Sequence, residues 1–172
     1  ERLVLILFDI VAAFPSTILA LAAAAALGSS LGTVILILAL TLTPHFGRVA
    51  RAQALTLKSL PLIEAERALG ASPARILFRH VLPAMLPPLI VLASMDVPVV
   101  ITIEAGLSFL GVGVRPPLAS WGALLFDGYD YLDRSIWMAL FSCLALTLAT
   151  LGFTLFGEAL RAAVDPRMRV GP

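Results

Sequence analysis

Residues 10–47 read IVAAFPSTILALAAAAALGSSLGTVILILALTLTPHFG, 38 positions without one Asp, Glu, Lys or Arg. About 20 residues cross the hydrocarbon core of a bilayer, so this run is too long for one span and long enough for two. Gly28-Ser29-Ser30-Leu31-Gly32 supplies a tight turn near its middle. The reading is two helices, at about 8–27 and 31–50. Pro15 falls in the first and Pro44 in the second, both tolerable as kinks inside a membrane. The alanines from Ala20 to Ala26 permit a close helix–helix contact of the small-xxx-small kind.

Further along, a third span runs from about Pro83 to Leu110, interrupted by Asp96 and Glu104, and a charge-free fourth from about Ser135 to Gly157. Their apolar runs are continuous rather than alternating, which excludes barrel strands. Composition agrees. Of 172 residues, 60% are hydrophobic and 13% charged, with a mean hydropathy of +1.00. So few charges cannot cover so much apolar surface in water, and the same numbers exclude disorder. The fold class is an all-α membrane protein, one transmembrane domain over 1–172 with four transmembrane helices. A net charge of +1 gives no field to draw nucleic acid. The single cysteine, Cys143, excludes an intramolecular disulfide and reads as a small buried hydrophobe. Opening on Glu1-Arg2-Leu3 without Met or a signal peptide, the chain is expected to be a fragment of a longer one.

Basic residues in the loops set the orientation. If the 51–82 loop and both termini share a side, that side and its flanks hold Arg2, Arg48, Arg51, Lys58, Arg67, Arg75, Arg79, Arg161, Arg167 and Arg169. The opposite side, 28–32 and 111–134, holds Arg115 and Arg134, diluted by Asp127, Asp130 and Asp133. The 51–82 loop therefore reads as cytoplasmic. Trp121, Tyr129, Tyr131 and Trp137 fall on or beside the outer segment, as an interfacial aromatic belt would.

The inner loop has specific punctuation. Ser59 before Pro61 suits a helix start, with Glu64 and Glu66 in the early turns. Gly70 stands where a left-handed cap would end that helix. Ser72-Pro73 is a second start, Arg75 and Arg79 lie one turn apart, and Pro83 marks the beginning of the third span. The expectation is two short helices at a sharp angle, shaped to dock in a partner's groove. The same spacing also fits a hairpin that covers the bundle end.

This stretch resembles the EAA loop of ABC-transporter inner-membrane permeases: Glu-Ala-Ala, three residues, Gly, nine residues, Ile-x-Leu-Pro. Glu64, Ala65, Gly70, Leu82 and Pro83 match at the right spacing, while Glu66 replaces the second Ala and His80 the Ile. Arg79-His80-Val81-Leu82-Pro83 is similar to the dipeptide/oligopeptide/nickel branch. So are Phe14-Pro15-Ser16, the run Glu104 to Gly113, Pro116-Pro117 with Ser120-Trp121-Gly122, and Asp165-Pro166-Arg167. The resemblance covers essentially the whole chain, in order.

What it implies is the permease subunit of a binding-protein-dependent importer for peptides or similar small solutes, in a bacterial or archaeal inner membrane. The fold would be a permease bundle with two short cytoplasmic coupling helices, and the chain the last four of six spans. The implied partners are a second, similar permease, two cytoplasmic ATPases, an extracytoplasmic binding protein and membrane lipid. The loop at 59–83, with Glu64, Ala65, Glu66, Gly70, Arg75, Arg79, His80, Leu82 and Pro83, would seat on the ATPase. Glu66 is expected to pair with Arg67, Arg75 or that ATPase. The chain would hold no cofactor, ATP and Mg being bound by the partner. Its own residues agree: Lys58, the one lysine, has Leu57 and Ala52 where a phosphate loop needs glycines.

Asp96, midway along the third span, should face a partner or a watery path. It either lines the translocation route for a substrate amine or hydrogen-bonds Ser94 or a threonine. Glu104, eight residues on and roughly on the same face, reads as an anchor for the outer loop through Arg115 or as part of the route. Asp9 would pair with Arg2 or face headgroups. His45 and His80 lack a second ligand at metal spacing. Residues 111–134 are expected to form a short helix near Trp121–Leu125, toward the pathway mouth or the binding protein. Two other classes compete. An intramembrane aspartyl enzyme needs facing carboxylates, but Tyr129-Asp130 lies outside and no Gly-x-Gly-Asp follows. A self-standing secondary transporter favours inverted repeats, and 1–50 and 84–157 show no convincing self-similarity.

Overall fold

A computed structural model of the chain describes residues 2–114 and 116–164. Its first helices are α1 (Arg2–Ala13) and α2 (Ser16–Leu27), which meet at 89°. The expected kinked helix over 8–27 is therefore two separate pieces. Proline disfavours helical backbone in the residue before it and has no N–H to continue the ladder. Pro15 stands extended (φ −56°, ψ 130°) and its carbonyl instead accepts the first N–H groups of α2, from Ile18 and Leu19. At about 1.5 Å per residue neither 12-residue piece alone crosses a ~30 Å hydrocarbon core.

A turn at Gly28 (φ +83°) leads to α3 (Leu31–Lys58). Ser30 caps α3 by accepting the Thr33 N–H at 3.2 Å, and the Thr33 hydroxyl donates to the Gly28 carbonyl at 2.8 Å. The helix continues through Pro44, and at Gly47 the Phe8 ring of α1 occupies the space that a Cβ would need. At the next position the Arg48 guanidinium donates to Asp9 at 3.0 Å. Asp9 thus pairs with Arg48 rather than with Arg2 or headgroups, because the 89° bend lays α1 against α3.

After α4 (Pro61–Ala68), the chain forms α5 (Pro73–Ile76), a π-helical turn (Leu77–Val81) and α6 (Leu82–Phe109), continuous over 37 residues. The expected second short helix is thus the end of the third span on the side that the loop charges read as inner. Pro83 does not break it. The wider π turn, in which the Leu82 N–H reaches back to Leu77, makes room for a ring that would clash in an α turn. An outer segment carries α7 (Trp121–Asp130), and α8 (Trp137–Val164) follows. Asp165, Pro166 and Arg167 lie outside the described residues.

Among the described residues three helices are long and apolar enough to cross a membrane: α3, the 37-residue helix and α8. The bent α1–α2 pair makes a fourth if it counts as one span. The core gathers in the half toward α7, where Ala20, Val34, Ile37, Leu38 and Leu107 join α2, α3 and α6. Of the most apolar window of each span, 28% is buried in α3 but 0% and 6% in the other two, so the latter turn their apolar faces outward. Cys143 lies exposed on α8, not buried as expected. In a membrane an apolar run does not have to be internal, since lipid is as apolar as the core.

Candidate functional site

At the inner end, Ser59 closes α3 instead of opening α4, donating to the Thr56 carbonyl at 2.9 Å. Leu60 takes the N-cap of α4 without a side-chain bond, and Pro61 begins the helix. Gly70 ends it with φ +80°, where the Ala71 N–H reaches Glu66 and the Gly70 N–H reaches Arg67, both at 3.0 Å. That double closure is the Schellman arrangement, for which glycine is suited. Ser72 then caps α5, accepting the Arg75 N–H at 3.3 Å. The chain therefore turns sharply between two properly capped helices.

Two side chains press this handle inward, Ile63 (3% exposed) and Ile76 (6%). Most of its other large apolar groups face out: Leu62, Leu77, Phe78 and, at the turn itself, Leu69 at 86%. Glu64, Ala65, Gly70, Arg75, Arg79, Leu82 and Pro83 are also exposed. Glu66 and His80 are not. Glu66 Oε1 stands 3.3 Å from His80 Nε2, the two side chains 28% and 21% exposed. The expected partners Arg67 and Arg75 do not take this contact. Beneath the handle, a cavity of about 530 Å³ is lined by Lys58, Arg67 and apolar groups including Ala54, Ile76 and Val81.

Midway along α6, Asp96 Oδ2 is buried with no hydrogen-bond partner. Ser94 donates to the Val91 carbonyl at 2.7 Å and Thr102 to that of Pro98 at 2.8 Å. Among the described residues, the expected bond from Ser94 or a threonine is therefore not made. Intramembrane hydroxyls close to their own helix cheaply, leaving the carboxylate facing elsewhere.

At the outer end, Glu104 Oε1 accepts two hydroxyls, from Ser108 at 2.6 Å and Ser120 at 2.8 Å. Each serine oxygen accepts a loop amide in turn: Ser108 that of Val114 at 3.1 Å, Ser120 that of Gly122 at 3.2 Å. One carboxylate thus holds both ends of the 114–122 connection. Glu104 does anchor the outer loop, but through serines; Arg115, the expected partner, lies outside the described residues. Ser108 was open to detection, since a serine four residues on shares a helix face. Ser120 was not, except as an N-cap before Trp121.

Three glycines let backbones meet around this knot. A Cβ on Gly122 would collide with the Ala105 backbone, one on Gly113 with that of Ser108, and one on Gly128 would come within 2.6 Å of Ala139 N. The Phe109 ring meets Phe126 and Tyr129 edge-on at 6.2 and 6.1 Å. A cavity of about 520 Å³ opens beside Glu104 and Ser120, walled by Leu31, Leu118, Trp121 and Leu124 among others.

Apolar spans joined to an exposed, jointed helix at one end and a knotted loop at the other make up an all-helical membrane domain. Over residues 1–170 the chain matches the family described as binding-protein-dependent transport system inner membrane component, and it belongs to that family. A protein of Brucella suis, named provisionally as a peptide transport system permease protein, is 41% identical over 170 residues, 99% of this chain. The glutathione transport system permease protein GsiD of Pectobacterium atrosepticum and the dipeptide transport system permease protein DppC of Alkalihalophilus pseudofirmus are each 38% identical over 98% of it. The chain spans 56–57% of the length of these relatives.

Proposed function

We propose that this chain is the membrane portion of an ATP-driven importer for peptides or similar small solutes. It would convert nucleotide hydrolysis in a partner into alternating access. The observation that carries the reading is the handle at 59–83: capped at Gly70 and Ser72, and exposing Leu62, Leu69 and Phe78 where apolar groups need a partner. The excess of Arg and Lys around it supports a cytoplasmic location for the loop and both termini. A groove on a cytoplasmic ATPase would receive α4, with Glu64, Ala65 and Gly70 along its contact and Arg75, Arg79, Leu82 and Pro83 at the stem. ATP and Mg belong to that ATPase. A second permease of the same kind, a second ATPase and an extracytoplasmic binding protein complete the assembly.

Movement of α4 would pass into the 37-residue helix and tilt it. No bond to solute forms or breaks in this chain. Asp96, half-buried in mid-span with its Oδ2 unpartnered, would meet the ammonium group of a passing solute, while Glu104 keeps the outer segment in place. The relatives' names, peptide, dipeptide and glutathione, all denote solutes built from amino acids. Cysteines placed at Ala65 or Ala71 in the intact assembly test the reading. Capture of the ATPase from the cytoplasmic side is expected. Labelling from outside only, or no capture, overturns it.

A further inference from the structure

We propose that Glu66 and His80 form a strut that turns the handle and the third span into a single lever. The inference rests on reading α4 as the element that receives force. Between α4 and its stem lies an open elbow. No atom comes within 4 Å of the place a Gly70 Cβ would occupy, and Leu69 beside it is 86% exposed. Of α4's own side chains only Ile63 is buried. An elbow so thinly braced would fold under load instead of transmitting it.

Glu66 and His80 close that angle. They stand 14 residues apart, on either side of the elbow, with Oε1 and Nε2 at 3.3 Å and both side chains largely covered. His80 reaches this place because it lies in the π turn Leu77–Val81. An extra residue in a helical turn rotates the residues beyond it by about 100° relative to an unbroken α-helix. Nε2 is otherwise buried without a hydrogen-bond partner, and the contact itself is off the line of a well-formed one. Without Glu66 that buried nitrogen loses even this polar neighbour, which favours the closed elbow while the carboxylate is present. Glu66 is also one of the two positions, with His80, at which the chain departs from the EAA pattern, so the acid stands where packing alone would ask for a small group. Both are positioning residues: neither touches solute or nucleotide.

The test uses the complete importer in proteoliposomes, with Cys143→Ser as background and both solute uptake and ATP hydrolysis measured. Glu66→Ala and His80→Ala should each lower solute moved per ATP by about fivefold, through slower uptake with hydrolysis continuing. The double variant should lose no more than either single. The exchange of the two side chains, Glu66→His with His80→Glu, should recover at least half of the loss. Independent, additive losses or an unchanged ratio overturn the strut. Glu66→Leu, which fills similar space without a polar atom, is the reference should Glu66→Ala assemble poorly, and the same lowered ratio is expected of it. Ala65→Cys in the same preparations separates the two ideas. Capture of the ATPase with an unchanged ratio refutes the strut alone; absence of capture in otherwise unmodified protein refutes the handle and the strut together.

Discussion

The two ends of this molecule satisfy their polar groups in opposite ways. At the outer end the polar groups close within the chain: Glu104 is shared by two serines, those serines hold the amides of Val114 and Gly122, and Gly113, Gly122 and Gly128 bring backbones into contact, while Leu110, Leu118 and Tyr129 stay exposed. At the inner end Leu62, Leu69 and Phe78 remain bare, and the side-chain contact of Glu66 with His80 spans the elbow. The hydrophobic core lies with the closed end. On the proposed function, an end closed on itself serves as a fixed reference and the open one as the surface that receives a partner. The difference separates residues that hold the bundle from residues that communicate with something outside it.

Substitution at Gly122 should distinguish the two ends most sharply. Gly122→Val forces a side chain into the Ala105 backbone, and overpacking of this kind costs about 1–3 kcal/mol or more. Thermal unfolding in detergent should show the largest loss of the series; an unchanged midpoint would mean that α7 is not wedged against α6. Glu104→Ala comes next. Two serines lose their acceptor, a loss of about 1.5–3 kcal/mol for bonds to a charged group, and limited proteolysis should cut the 114–122 connection faster. Resistance equal to that of the parent chain would remove the knot from the account. Gly70→Ala places a Cβ at φ +80° and should cost roughly 1 kcal/mol, since the surrounding space is open and only the backbone objects.

Leu69→Ser should have almost no effect on the isolated chain, within about 0.5 kcal/mol, because the side chain is 86% exposed. In the assembled importer it should weaken capture of the ATPase severalfold. A loss of stability without a loss of capture would mean that Leu69 packs at home. Smallest of all, Asp9→Asn removes an ion pair exposed on both sides (49% and 72%) and should change stability by no more than about 0.5 kcal/mol.

Local features were legible in the chain because short-range chemistry decides them. The charge-free run of 10–47, the Gly70 cap and the Ser72 start depend on neighbours within a few residues, and the short helix after Ser120 was visible at its first turn. Pro15 announced an interruption but not its size. The 89° bend is held by Phe8 against Gly47 and Asp9 against Arg48, partners 39 residues distant. The pairing of Glu66 with His80 was illegible for a similar reason. A one-residue change in helical pitch at the π turn decides which way His80 points, and Pro83 had suggested a boundary instead. Cys143 shows a different limit: apolar surroundings in a sequence do not distinguish core from lipid-facing surface. The carboxylate of Asp96 is the least resolved by local pattern, since its hydroxyl neighbours prefer their own helix and leave it for a partner from elsewhere.

Amide hydrogen exchange followed over the chain alone and within the complete importer compares the two ends directly. Protection over 104–130 should be strong in both states. Protection over 61–82 should be weak alone and rise at least tenfold when the ATPases are present. Equal protection of 61–82 in both states, or an outer segment that exchanges as fast as the handle, would contradict the division between a sealed end and a receiving one.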